Sequence, residues 1–322
     1  MRKLLLGTTA LAAAATLTAN AALADVSISG AIEWSYNSRS SNITANDGTT
    51  FGTDSSITIG FTNKTDSGLT LGYTQSMDTD NEVFGNAENS LSVAGGFGTI
   101  ILGNNDAAAD AYIIDESDLI AEDQAPIGTS SSIGTSSSMA LPQADNNKIT
   151  YHLPAMGGLT AGVSHTDSGA TGATDSTSMG AKYSLEAAGA AITLGYATST
   201  QDNSTQDIDS STMGMKIVSG DISMIISQGG YEASGEDYDN MGASISYKMP
   251  NGMTIGAYTF NSEDDADTGE EYSRSGAEVQ YTIASGLTAV INVDDYDYKI
   301  GTNSGATADT GTNSRLTIKA SF

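Results

Sequence analysis

The chain has 322 residues, with 39 Asp and Glu against 12 Lys and Arg and a net charge of −27, a balance that excludes a phosphate backbone as partner and so leaves no nucleic acid. Cysteine is absent, so there is no disulfide framework, no thiolate metal site and no cysteine nucleophile. A hydrophobic content of 39% with 36 glycines fits a soluble acidic protein or a disordered chain as readily as a membrane one; the hydropathy pattern has to decide.

Residues 1–24 open with Arg2 and Lys3, continue through a Leu- and Ala-rich stretch and finish at Ala22-Leu23-Ala24, which reads as a cleaved signal peptide with an A-x-A site. The mature chain, a single domain over residues 25–322, then begins at Asp25. Beyond the leader no run of about 18 apolar residues occurs, which excludes helical membrane spans. What occurs instead is a period of two. Val26, Ile28, Ile32, Trp34 and Tyr36 share one face of a first strand, and Ser27, Ser29, Glu33 and Ser35 share the other. Ile57, Ile59 and Phe61 continue the pattern, as do Leu69, Leu71 and Tyr73 after a turn at 64–68. Further strands are predicted near 88–95, 98–104, 147–154, 159–166, 177–185, 190–198, 211–218, 221–230, 238–248, 253–261, 271–283, 287–296 and 311–322. With the first three these make about sixteen.

Short turns at 154–158, 219–221, 250–252 and 284–286 alternate with long acidic connections, as in outer-membrane β-barrels. Proline cannot donate to a sheet ladder, and all four prolines avoid strand interiors: Pro154 and Pro250 at turns, Pro126 and Pro142 inside the longest connection. A base on a lipid face costs about 2–4 kcal/mol at mid-membrane. Lys148, His152, Lys182, Lys216, Lys248, Arg274, Glu278, Arg315 and Lys319 all keep to the polar face. Tyr73, Tyr151, Tyr183, Tyr196, Tyr247 and Tyr281 keep to the apolar one, most near strand ends where interfacial girdles sit. Parity blurs at 94–97, at Ile100-Ile101-Leu102 and at Thr259-Phe260, where bulges or shifted boundaries are expected. The last segment, Arg315 to Phe322, alternates cleanly and stops on an aromatic.

Leader, sixteen alternating segments, terminal Phe322 and a long third loop together resemble the general-diffusion porins of alphaproteobacteria, the Rhodobacter-like outer-membrane porins of Gram-negative cells. The resemblance spans the whole mature chain and rests on the ordered pattern. It implies an all-β fold, a sixteen-stranded antiparallel transmembrane barrel with the third loop folded into the lumen. It also implies a homotrimer in the outer membrane, a seam around Val26–Leu102 and Arg315–Phe322, passive diffusion of small hydrophilic solutes and ions, and recognition of Phe322 by barrel-assembly machinery.

The third connection, about 105–146, is far longer than loops without a function of their own. It carries Asp106, Asp110, Asp115, Glu116, Asp118, Glu122, Asp123 and Asp145 and no base, so it is expected to line a constriction with carboxylates. Residues 107–119 are expected to form a short helix capped near Asn105 or Asp106, with Tyr112, Ile113 and Ile114 on the wall. The charged lumen wall facing it would be Glu33, Lys148, Lys182, Lys216, Arg274 and Arg315. Acids outnumber bases, which predicts a cation-preferring pore.

No cofactor is required by this reading. Asp78, Asp80, Asp265 and Asp267 lie in acidic stretches suggestive of Ca²⁺, although neither completes an EF-hand spacing; contact of the loop carboxylates with lipopolysaccharide through shared cations is the competing expectation. Ser164-His165 does not make a catalytic pair, because neighbours on a strand point to opposite faces, and the chain is read as no enzyme. The Gly-x-Gly fragments are put down to composition. Two other readings share features: a substrate-specific outer-membrane channel, disfavoured by few inward aromatics, and a secreted β-rich adhesin or surface-layer protein, which would show a fixed repeat.

Overall fold

The computed structural model describes residues 25–79, 85–121, 146–167, 175–202, 207–267, 269–301 and 307–322; the leader, residues 1–24, lies outside them. Sixteen strands follow in chain order: β1 (Asp25–Ser41), β2 (Gly48–Lys64), β3 (Thr70–Asp78), β4 (Gly85–Gly95), β5 (Gly98–Asn105), β6 (Asn146–His152), β7 (Leu159–Thr166) and β8 (Asp175–Ala187), then β9 (Ala190–Asp202), β10 (Asp207–Ser219), β11 (Ile222–Ala233), β12 (Glu236–Lys248), β13 (Met253–Asp264), β14 (Glu271–Ala284), β15 (Leu287–Lys299) and β16 (Asp309–Ser321). Each pairs antiparallel with its sequence neighbours, and β16 returns to β1 through Trp34 opposite Ile318 and Asn37 opposite Arg315, closing the sheet. Closure leaves no bare edge, the condition for a sheet to sit in hydrocarbon.

The two faces invert the arrangement of a water-soluble protein. Outward residues such as Ile28, Phe51, Ile149, Met179, Tyr196, Ile226 and Met241 are exposed, while inward Ser35, Ser178, Ser199, Thr212 and Asn240 are buried. Apolar outside and polar inside is stable only if the outer solvent is lipid. A soluble two-sheet sandwich is therefore ruled out. The tyrosines assigned to the girdle point outward, as at Tyr73, Tyr183, Tyr247 and Tyr281.

Three sequence expectations are corrected. Several strands extend beyond the predicted segments at the long-loop end, β1 by five residues to Ser41 and β2 back to Gly48. There, apart from outward Phe51 and inward Arg39, the side chains are Ser, Thr, Asn, Asp or Gly on both faces, so hydropathy carries little period although the ladder continues. The blurred spots are not bulges: Ile101 and Phe260 simply face inward, and the register shifts lie between Ser76 and Met77 and between Thr282 and Ala284. Inward aromatics are also not scarce. Tyr238, Phe260, Tyr272, Tyr296 and Tyr298 form a buried cluster on the inner face of β12–β15, with Tyr231 against it. They pack on one another as a core, not as a ladder open to solvent.

Candidate functional site: the inner wall and the third loop

The third connection begins at Asn105 and ends at Asn146, the bounds expected; its described part runs to Ala121, and Glu122, Asp123 and Asp145 lie outside the described residues. The part that is described follows the inner wall strand by strand. Lys148 on β6 donates to the Asn105 carbonyl. The amide of Ala108 donates to Ser164 Oγ on β7 at 2.9 Å and that of Ala109 to Ser178 Oγ on β8 at 3.2 Å. The Tyr112 hydroxyl meets His152 Nδ1 at 2.8 Å. Farther on, Glu116 accepts from Ser227 Oγ on β11 at 3.0 Å, and the Ala121 amide donates to Glu278 on β14 at 2.8 Å. Lys319 on β16 donates to the Ala121 carbonyl at 2.7 Å, so the segment is fastened at both ends.

The single helix expected over 107–119 is not formed. Two 3-10 turns stand in its place, Ala108–Tyr112 and Glu116–Leu119, and the first has no side-chain cap. Wall hydroxyls satisfy the amides of Ala108 and Ala109 that the first turn leaves open. Asp115 caps the second turn through the Ser117 amide at 3.0 Å. Tyr112 and Ile114 are buried on the wall, and Ile113 packs on Ala109 and Ala197.

The loop acids divide by exposure. Asp115 and Glu116 are buried and occupied in hydrogen bonds that hold the segment, Asp106 and Asp110 are half-buried, and Asp118 is exposed. Lys182 on β8 lies within Coulombic range of Asp118, Asp115 and Lys216. These two bases therefore stand on the wall that carries the loop, beside its carboxylates and not across the lumen from them.

The remaining wall residues are paired. Arg274, on β14, is buried with Nε donating to Asp294 at 2.8 Å, a terminal nitrogen donating to the Tyr258 hydroxyl at 2.8 Å, and its plane 5.0 Å from the Tyr258 ring centre. Asp294 also accepts from Asn313 at 3.1 Å. Arg315 and Lys319 both bridge Glu33, at 2.9 and 3.1 Å. Sequence reasoning missed Arg39, which pairs with Asp309 and donates to Tyr296 at 2.8 Å. Its parity with Glu33 and Ser35 was the available signal. Asp294 and Asp309 were missed because an acid on an inner face looks the same in sequence whether solvated or paired.

On β1–β4 four inward carboxylates lie close in register: Glu33 directly opposite Asp54, Asp78 opposite Ser56, and Glu88 opposite Ser76. The bases of that wall are Arg39, already paired, and Lys64 at the short-turn end of β2. Among the described residues no group of three or more carboxylates or imidazoles could hold a metal ion; Asp265 is exposed, Asp267 is buried, and Asp80 lies outside the described residues. Ser164 points inward and His165 outward, where it meets Thr177 Oγ1 at 3.0 Å.

The chain matches a family model described as Gram-negative porin over residues 7–318. Solved structures of the same fold include an anion-selective porin from Comamonas acidovorans, at 16% identity and a TM-score of 0.68, covering 93% of this chain and all of that one (100%). The trimer form of OmpT from Vibrio cholerae aligns at 14% identity and a TM-score of 0.69, covering 93% and 99%. A mutant of the Rh. blastica porin aligns at 17% identity and a TM-score of 0.67, covering 92% and 100%. At such identities the likeness establishes the fold alone. No functionally curated protein matches the sequence.

Proposed function

Since the chain belongs to the Gram-negative porin family, we propose that this outer-membrane barrel passes small hydrophilic solutes and ions by passive diffusion and prefers cations. The observation that carries the channel reading is the inverted polarity of a closed sixteen-stranded sheet, with lipid-compatible side chains outside and hydroxyls, amides and charges inside. Membership of a family of channels supports a conduit and not an enzyme.

Cation preference is supported by the excess of acids over bases, 39 Asp and Glu against 12 Lys and Arg. The wall bases are held by Asp294, Asp309 and Glu33 or, at Lys182, stand beside Asp115 and Asp118, while the inner face of β1–β4 adds Asp54, Asp78 and Glu88. Rings and walls of one sign select the opposite ion. The anion-selective Comamonas porin shares the fold, so the fold leaves the sign open and the charges determine it. On this reading the third loop narrows the lumen along the β6–β14 wall, and Asp106, Asp110 and Asp118 lie along the passage.

The trimer with a seam on β1–β5 and β16 is supported by the aromatic patch on the outer face there, Trp34 over Phe51 with centroids 5.6 Å apart and Tyr36 at 5.3 Å. Phe322, 82% exposed, pairs its backbone with Gly30 and leaves its ring free for assembly machinery. Acidic connections at the long-loop end face the lipopolysaccharide side, where shared divalent cations, Ca²⁺ among them, would bridge carboxylate and phosphate.

Reconstitution of the purified protein into planar bilayers tests the reading. Stepwise, nearly ohmic conductance is expected, with a cation-signed reversal potential in a KCl gradient. The preference should shrink as the Debye length falls from about 10 Å at 0.1 M to about 3 Å at 1 M salt. Absence of conductance removes the channel, and an anion-signed potential removes the cation preference.

A further inference from the structure

The inner face beneath the third loop is floored with glycine. Gly162 on β7 stands directly opposite Gly180 on β8. Gly195 on β9 stands opposite Gly214 on β10, then Ser227 on β11, then Gly242 on β12, in one unbroken cross-strand row. The φ angles of these residues do not call for glycine. Space does. A Cβ at Gly195 would come within 2.7 Å of the Tyr112 carbonyl oxygen, and one at Gly180 within 2.7 Å of Tyr112 Cβ, against about 3.4 Å for ordinary contact. At Gly214 it would run into the Ile114 carbonyl oxygen, and at Gly242 into the Glu116 carboxylate, both closer still. The Gly214 case is the hardest to relieve, because the atom met is backbone and not the end of a flexible side chain.

Inward glycines of β2 and β3 differ: at Gly52, Gly60 and Gly72 the nearest atom is a serine hydroxyl and not the third loop. At Gly60 on β2 the added atom would meet only Ser27 Oγ, a hydroxyl that can rotate away. The track thus coincides with the path of residues 112–116, and the loop backbone lies where wall side chains would otherwise be. Ala109 and Ala197, both fully buried, continue the close contact one step along the wall.

We propose that Gly162, Gly180, Gly195, Gly214 and Gly242 are positioning residues that set how far the third loop projects from the wall, and thereby the width left for solutes. The proposal rests on the reading of that loop as the constriction. Its physical content is steric: each methyl group added to the floor must lift the loop toward the lumen axis, because a packed interior has no void to absorb it.

The test uses Gly214→Ala and, as an inner-wall control, Gly60→Ala, both refolded and checked for heat-modifiable electrophoretic mobility. Gly214→Ala is expected to show lower unitary conductance than the unmodified channel, and Gly60→Ala to match it. A second readout does not depend on conduction. The chain has no cysteine, so Ser178→Cys places a single thiol under the loop beside Ala109, open to a water-soluble maleimide only if the loop lifts. That thiol should resist labelling in the otherwise unmodified protein and react in the Gly214→Ala background. Equal conductance of Gly214→Ala and the unmodified channel overturns the proposal whatever the labelling shows, as does free labelling of Ser178→Cys alone. If Gly214→Ala fails to fold, Gly195→Ala, with its milder clash, carries the same expectations. Should the unmodified protein not conduct, the channel reading fails, while the labelling comparison still judges the glycine seat.

Discussion

The inverted polarity of the barrel predicts that one lysine is expensive or cheap according to which way it points, whatever its neighbours along the chain. Ile226 lies on the outer face of β11, 52% exposed, four residues from the strand start at Ile222, which pairs with girdle residue Tyr247. Four residues span roughly 13 Å along a strand, or about 10 Å in height at a tilt near 40°. In an apolar band about 25 Å tall that is close to the midplane. Ile226→Lys should therefore cost about 2–4 kcal/mol, toward the lower value because the stem can snorkel toward the Tyr247 level. Such a cost is roughly a 30- to 900-fold loss in the folded-to-unfolded ratio. Ser56→Lys is the counterpart: Ser56 is inward and half-buried, opposite Asp78 and two residues from Asp54, so the ammonium meets water and carboxylates, and a change within about 0.5 kcal/mol is expected. Equilibrium unfolding in urea from phospholipid bilayers, read by heat-modifiable migration, gives both numbers. A cost below about 1 kcal/mol for Ile226→Lys, or equal costs for the two, would refute the assignment of lipid and water to these faces.

Asp294→Ala should be more damaging than its size suggests, because it removes the carboxylate from a buried ion pair whose side chains are 1% and 0% exposed; about 3–5 kcal/mol is expected in the same unfolding assay, and less than 1 kcal/mol would mean that the other partners of Arg274, Tyr258 among them, suffice. Glu270 lies in the connection before β14, where burial first, and then Asp264, Asp267 and Glu236, push its carboxyl above the ordinary 4.5 against the opposing hydrogen bond from Tyr298. A raised folded pKa means that the folded state binds the proton more readily. The ionised form therefore destabilises at neutral pH, and that penalty is relieved as pH falls through the folded value toward 4.5. Glu270→Gln should be the more stable form at pH 7 and should lose that advantage on acidification; a stability difference independent of pH would remove the explanation. Ser56→Lys should also shift the reversal potential toward anions, since it adds a base to the carboxylate wall of β1–β4; an unchanged potential would place the ion path elsewhere.

The strand count, the order of strands, the bounds of the third connection and the facing of every charged strand residue considered were legible because they depend on one periodic signal. A strand between lipid and water has to alternate, and a slip by one residue would turn Lys182 or Arg274 into hydrocarbon. The same logic explains what was not legible. Toward the long-loop end most side chains on both faces of β1 and β2 are polar, Phe51 apart, so Asn37 to Ser41 and Gly48 to Asp54 lose their period while keeping their ladder. Inward Ile101 and Phe260 break the pattern because they are apolar on the inside, Phe260 buried among tyrosines and Ile101 half-buried, and a hydropathy count cannot separate burial by protein from burial by lipid.

The site was harder to read because alternation reports direction and says nothing about what lies across the lumen. Lys182 and Lys216 point inward as parity requires, yet their neighbours are Asp115 and Asp118, contributed by a loop whose path parity cannot trace. That path is recorded in the sequence all the same, as the residues the wall lacks. Gly180, Gly195, Gly214 and Gly242 occupy strand positions where a β-branched or hydroxyl side chain would pair better across the sheet, and a glycine in a strand interior weakens it unless another backbone approaches there. Composition counted these residues as ordinary glycine content. Their cross-strand register, Gly195 to Gly214 to Ser227 to Gly242, is what distinguishes them, since scattered glycines would not line up across four strands beneath one segment of chain. In a barrel whose inner wall otherwise carries hydroxyls, amides, charges and a tyrosine cluster, the missing side chains mark where the third loop rests.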